Sequence, residues 1–134
     1  LLSKEEYEEY KKNISLIKDW CWLRTPGQYL STIFSISNNG ARFSSIVDSG
    51  HIAVRPALIL DTVNLNIGDK FKFYNHAWTV ISDTYALCNN KFCNMAFRKD
   101  WKAEDANVYD ASDVKKFVEE WFDAAIKEKN WEIK

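Results

Sequence analysis

Between Trp20 and Cys88 the chain is cut into short apolar runs by turn signals. These are Thr25-Pro26-Gly27, Asn38-Asn39-Gly40, Asp48-Ser49-Gly50, Leu65 to Asp69 and Tyr74-Asn75-His76. Runs of that length rich in Ile, Val, Phe and Trp read as strands, not helices. The spacing predicts strands at Trp20 to Leu23, Ile33 to Ile36, Ala41 to Ile46, Phe71 to Phe73, Trp78 to Val80 and Tyr85 to Cys88. Asn38-Asn39-Gly40 is a strong hairpin signal. Ile52 to Leu60 is a longer apolar run and reads as one buried strand, with Pro56 limiting its ladder bonds. Its short link to the next strand predicts that Val54 to Leu60 pairs antiparallel with Lys70 to Tyr74.

Helices flank this strand-rich middle. Ser3-Lys4-Glu5-Glu6 is a capping box and opens a helix to about Lys12, with Tyr7 and Tyr10 on one face. Asp110 or Ser112 caps a second helix to about Lys127. Val114, Phe117, Val118, Trp121 and Ala125 form its apolar stripe. Residues 89–109 read as irregular, anchored by Phe92, Phe97, Trp101 and Tyr109. The fold class is therefore α+β, in one domain of 134 residues.

With 46% hydrophobic residues and six Trp, the chain can fill a core. Lys and Arg number 18 against 19 Asp and Glu, so no basic excess supplies the counterion release of nucleic-acid binding. No run approaches the ~20 apolar residues of a membrane helix. Three cysteines, Cys21, Cys88 and Cys93, with no apolar leader, predict free thiols and a cytoplasmic protein without disulfides. His51 and His76 lie in no metal-ligand spacing. Glu104, Asp105 and Asn107 offer oxygen ligands of the kind calcium takes, but read as a solvated loop. There is no phosphate loop and no nucleophile elbow. The expectation is no catalytic residue, no metal and no cofactor. Lys11-Lys12, Lys115-Lys116 and Lys127 to Lys129 read as solvated helix faces.

Arg24 and Arg55 stand inside apolar runs, W-C-W-L-R and V-R-P-A-L-I-L. A guanidinium among apolar neighbours needs partners. Two readings follow: arginines that pin loops through carbonyls and carboxylates, or arginines that bind an anion. On the first, both are mostly buried and bonded to protein groups, and replacing either by Met lowers stability by ~2–4 kcal/mol.

Trp20-Cys21-Trp22-Leu23-Arg24-Thr25-Pro26-Gly27 and Val54-Arg55-Pro56-Ala57-Leu58 resemble the W-W-L-R-S-P-G and G-V-R-P-A-L hallmarks of a bacterial domain family of unknown function. That family is common in gut Firmicutes and their mobile elements. Here Cys21, Thr25 and Ala53 depart from the pattern. Leu2 to Tyr7 resembles the helix before the first hallmark. Ile67 to Phe71, Trp78 to Ile81 and Ser112 to Phe117 resemble the family's first strand and helix. The family resembles the C-type lectin-like and sulfatase-modifying-factor fold, and here the order of the pieces looks circularly permuted. The resemblance implies one permuted lectin-like domain over 1–134, residues 1–60 carrying the hallmark half and 70–134 the first-strand and long-helix half. It implies no calcium chemistry, because the sugar-binding signatures are missing.

The leading expectation is a non-catalytic ligand- or protein-binding module. The alternatives are a phage or mobile-element inhibitor of a host protein, and an enzyme or enzyme accessory using Asp48 and His51. The expected partner is a protein or small ligand, not nucleic acid or membrane. Gln28, Tyr29, Asn38, Asn39, Arg42, Asp48 and His51 are the expected ligand-binding residues, gathered by turns onto one side, with Tyr29 and Arg42 as anchors. Trp20, Trp22, Arg24, Arg55, Trp78 and Trp121 are the expected scaffold residues.

Overall fold

The capping box forms as its residues dictate. Ser3 Oγ accepts from the Glu6 N–H at 3.1 Å, and Glu6 Oε1 accepts from the Ser3 N–H at 2.8 Å. They open α1 (Lys4–Tyr10), which ends in a 3-10 turn over Lys11–Asn13. The structure is a computed structural model that describes residues 1–60 and 64–127, and the backbone of 131–132.

The strands follow in chain order: β1 (Cys21–Pro26), β2 (Thr32–Ile36), β3 (Arg42–Ile46), β4 (Ala53–Val54), β5 (Ala57–Ile59), β6 (Lys70–Phe73), β7 (His76–Val80), β8 (Tyr85–Cys88) and β9 (Cys93–Asn94). A 3-10 turn at Tyr109–Ala111 leads into α2 (Asp113–Lys127), and β10 (Trp131–Glu132) follows. They build two five-stranded sheets, ordered β3-β2-β1-β4-β9 and β10-β6-β7-β8-β5. Every pairing is antiparallel except β1 with β4. The α+β expectation holds at that level.

The run Ile52 to Leu60 is not one strand. It breaks at Arg55-Pro56, with β4 in the first sheet and β5 in the second. Pro56 donates no ladder bond and restricts the backbone of Arg55, so the chain leaves one sheet there and joins the other. The expected pairing with Lys70 to Tyr74 is also overturned. β5 pairs with β8, and β7 and β8 lie between it and β6. A local contact wins instead: β6 and β7 close a hairpin from Phe73 to His76. Tyr74 and Asn75 both take positive φ, 47° and 67°, as the two central residues of a type I′ turn do.

Three apolar clusters fill the interior. Trp22, Ile33, Val54, Phe97 and Val114 pack under the first sheet, and Phe71, Phe73, Trp78, Val80 and Ala125 under the second. The stripe on α2 bridges them, with Val114 and Val118 on the first cluster and Trp121 and Ala125 on the second. Ser112 caps this helix, its Oγ accepting from the Lys115 N–H at 2.9 Å. Where the sheets meet, a third cluster joins Leu23, Ile36 and Leu87 to Leu2 and Tyr7. The seam between the sheets therefore lies beneath α1, with Arg55 at the crossing.

Candidate functional site

The two arginines, so alike in sequence, have different surroundings. Arg24 leaves β1 toward α1. Its Nη1 donates to Glu6 Oε1 at 2.5 Å and to the Leu1 carbonyl at 2.6 Å. Tyr85 donates to the other Glu6 oxygen at 2.5 Å. Burial pushes the Glu6 carboxyl up. The hydrogen bonds from Arg24, Tyr85 and the Ser3 N–H outweigh it and bring the pKa down from 4.5 to about 2. Arg24 is thus half of a satisfied ion pair that ties α1 to both sheets.

Arg55 has no such partner. Its Nε donates to the Cys88 carbonyl at 2.7 Å, and it joins no ion pair among the described residues. Burial pulls its pKa down, yet a guanidinium stays charged at neutral pH. The ionisable groups that act on it are Cys21, Cys88 and Tyr7. Burial pushes the Cys21 thiol up to about 11 and raises the Cys88 thiol and the Tyr7 phenol, so all three are neutral near pH 7. Arg55 is therefore a half-buried cation without a counter-anion among the described residues.

Two cavities meet at it. A narrow, mostly apolar slot of about 30 Å³ is lined by Arg55 with Leu2, Tyr7, Ile14, Leu23 and Ile36, and by the Asp19 carboxylate, which pairs with Lys91. A polar cleft of about 200 Å³ also meets it, lined by Asn13, Ser15, Lys70, Thr79 and Asn89 together with Ile14, Ile81 and Leu87. Lys70 and Thr79 are a cross-strand pair of β6 and β7, and Asn89 follows β8. Asn13 donates to the Ile81 carbonyl at 3.1 Å, and Thr79 donates to Asn89 Oδ1 at 2.5 Å. The Lys70 ammonium, the Ser15 hydroxyl and the Asn89 amide nitrogen find no side-chain partner among the described residues. Two cations and several free donors thus line a cleft that no described carboxylate lines.

The expected turn surface is split. Gln28 and Tyr29 lie exposed in the β1–β2 turn, and Asp48 and His51 lie exposed between β3 and β4. The Val47 N–H bonded to the Ser31 carbonyl at 2.9 Å brings these two segments together. Asn38, Asn39 and Arg42 sit at the other end of the β2–β3 hairpin, because Thr32 faces Ile46 while Ile36 faces Arg42. The length of β2, about 14 Å, separates the two groups. Arg42 is also engaged, its Nε 2.9 Å from Glu8. Consecutive turns of a meander alternate ends, so turns on both sides of β2 cannot share one surface.

Trp22 donates to the Met95 carbonyl at 2.8 Å and Trp78 to that of Phe73 at 3.2 Å, both buried. Trp121 is half-buried over Phe92, its ring 4.6 Å away. Trp20 is partly exposed, its ring tilted against that of Phe43 with centroids 4.8 Å apart. Asp105 pairs with Arg98, and Asn107 donates to the Tyr29 carbonyl, so these two tie the loop down. The three cysteines are free. No group of three His, Cys, Asp or Glu among the described residues is placed to hold a metal. No helix among them is long and apolar enough to cross a membrane.

Sequence reasoning missed Lys70, Thr79, Asn89, Asn13 and Ser15, which come from four stretches of the chain with no common spacing. The one available signal was Arg55 itself, a cation in an apolar run with no acid in that run. The chain matches no protein-family model, no curated protein and no solved structure.

Proposed function

We propose that this protein is a non-catalytic binding module that takes a small ligand in the cleft beside Arg55. The observation that carries this is the contrast between the arginines. A half-buried cation costs stability unless something compensates it, and Arg24 has that compensation while Arg55 does not. The cleft supplies hydrogen-bond donors and the Lys70 ammonium but no histidine and no carboxylate from the described residues, a lining suited to holding a ligand. The nearby Cys21 thiol, raised to about 11, is a poor nucleophile at neutral pH.

The scaffold reading is a C-type lectin-like domain in circularly permuted order, related to the bacterial family whose hallmarks the arginine motifs resemble. The parallel pairing of β1 with β4 supports it, since it sets the two hallmark segments side by side. The order of the motifs alone supports the permutation, because β5 and β6 are not neighbours. The free thiols support a reducing, cytoplasmic setting.

The test is a thermal-shift screen of a mixed metabolite set against wild type and Arg55→Met. Compounds that raise the melting temperature of wild type and not of the variant are expected. A screen in which nothing binds, or in which the variant responds equally, removes the reading. A second, protein-binding reading has its own observation. Tyr29, Leu30 and Ile46 are 64%, 63% and 57% exposed at one end of the hairpin, an apolar group open to a partner, host-derived or otherwise. Loss of a captured partner on Tyr29→Ala tests it.

A further inference from the structure

The cleft's own chemistry narrows its ligand, and the narrowing rests on the binding-module reading above. We infer that the cleft is an oxyanion site: it binds the carboxylate or phosphate of a small metabolite, with Arg55 and Lys70 as the two cationic contacts.

Charge comes first. The chain carries a net −1, yet the described residues put two cations and no acid along this cleft. Among the described ion pairs, Lys11, Lys91 and Lys115 each have a carboxylate, as do Arg24, Arg42 and Arg98. Arg55 is the one arginine among the described residues that has none; Lys70, unpaired like most of the described lysines, lines the same space.

Geometry comes second. The bond from Nε to the Cys88 carbonyl anchors the Arg55 guanidinium and uses one of its five N–H donors. Neither Nη has a partner among the described residues. A planar donor fork matches two oxygens of one carboxylate or phosphate, which a neutral ligand does not offer. Lys70 adds a point charge, and the Ser15 hydroxyl and Asn89 amide add neutral donors.

The surroundings come third. Ile81 and Leu87 form a buried floor, where a charge pair is screened less than in open water. Asn13, Ser15 and Lys70 are exposed, so the mouth of the cleft is reached from solvent. At about 200 Å³ the cleft is smaller than the ~300–1,000 Å³ of a drug-sized site, which favours a compact anion. The apolar slot that shares Arg55 has room only for a slim apolar extension.

The probes are inorganic phosphate and butyrate, each titrated at fixed ionic strength with chloride as the balancing salt and followed by amide-resolved NMR. Saturable shifts are expected at Ser15, Lys70 and Asn89 with at least one of the two, and which one responds separates a phosphate from a carboxylate ligand. Arg55→Met is expected to weaken that binding at least about tenfold. Lys70→Met, at an exposed position whose loss leaves folding intact, weakens it severalfold, while Lys12→Met leaves it unchanged. If neither anion gives saturable shifts at the cleft, the oxyanion assignment is overturned, and binding that survives both Arg55→Met and Lys70→Met overturns it equally. Should the metabolite screen yield neutral compounds that need Arg55 while both anions fail, the anion class falls and the binding module stands. If no compound of any kind binds, both fall.

Discussion

Replacing each arginine by Met separates the two environments by a measurable free energy. Met keeps most of the aliphatic stem and removes the charge. In Arg24→Met, the Glu6 carboxylate keeps its Tyr85 and Ser3 donors but loses its counter-ion, and the Leu1 carbonyl loses a donor. The Glu6 side chain is only 16% exposed, while that of Arg24 is 34% exposed. The loss therefore falls between the ~0–1 kcal/mol of a surface pair and the ~3–5 kcal/mol of breaking a buried one, at about 2 kcal/mol. In Arg55→Met, one charged hydrogen bond is lost, but an uncompensated half-buried cation goes with it. These terms oppose, each of order 1–3 kcal/mol, and the variant stays within about 1 kcal/mol of wild type. This departs from the equal cost that the sequence suggests for both arginines.

The assay is urea denaturation of the three proteins between pH 7 and pH 2. Glu6 has a folded pKa of about 2 against an ordinary 4.5. Its depressed pKa adds stability that is present above about 4.5 and is lost as pH falls toward 2. The gap between wild type and Arg24→Met is therefore full at pH 7 and narrows below about pH 4.5. Equal destabilisation by both variants, or a gap that ignores pH, would refute the assignment of Arg24 as paired and Arg55 as unpaired.

Tyr85→Phe removes one of the three donors to Glu6, so it costs about 1 kcal/mol and moves the Glu6 pKa up from about 2, read by carboxyl NMR titration. Ile33→Val, at a fully buried β2 position, costs about 1 kcal/mol in chemical denaturation, whereas Ile59→Val, 77% exposed on β5, changes stability by less than about 0.5 kcal/mol. Tyr29→Ala and Arg42→Ala sit at opposite ends of the β2–β3 hairpin, so a protein captured at the Tyr29 end loses affinity with the first and is indifferent to the second in a binding titration.

Local signals were legible wherever a few adjacent residues decide the outcome. Ser3 and Glu6 meet within one helical turn. Asn38-Asn39-Gly40 turns the chain with Gly40 at φ 88°, and Val114 to Ala125 presents one face of one helix. The partners of strands were less legible, because a strand's apolar content does not name the edge it joins. The run Ile52 to Leu60 shows the limit: a Pro-marked break sends its halves to different sheets, and the seam that results exists in neither half alone. The expected turn surface failed for a related reason. The sequence marks turns but not ends, and only the register of β2 against β3 shows that Arg42 and Tyr29 lie apart.

The same reasoning explains why two arginines with like neighbours diverge. Glu6 is 18 residues before Arg24, on a helix that the capping box fixes beside β1. That helix would place its carboxylate against Arg24 whether or not anything else bound. Arg55 sits where the chain changes sheets, a point at which β8 supplies a backbone carbonyl and α1's trailing segment supplies Asn13 and Ser15. Its surroundings lend donors and one carbonyl; the one described carboxylate among them, Asp19 in the slot, pairs with Lys91 and not with Arg55. A crossing built only to hold the sheets together would lose little with an apolar side chain at that position. Keeping a cation there, beside a second unpaired cation and a solvent-open cleft, fits a position whose charge serves something outside the fold.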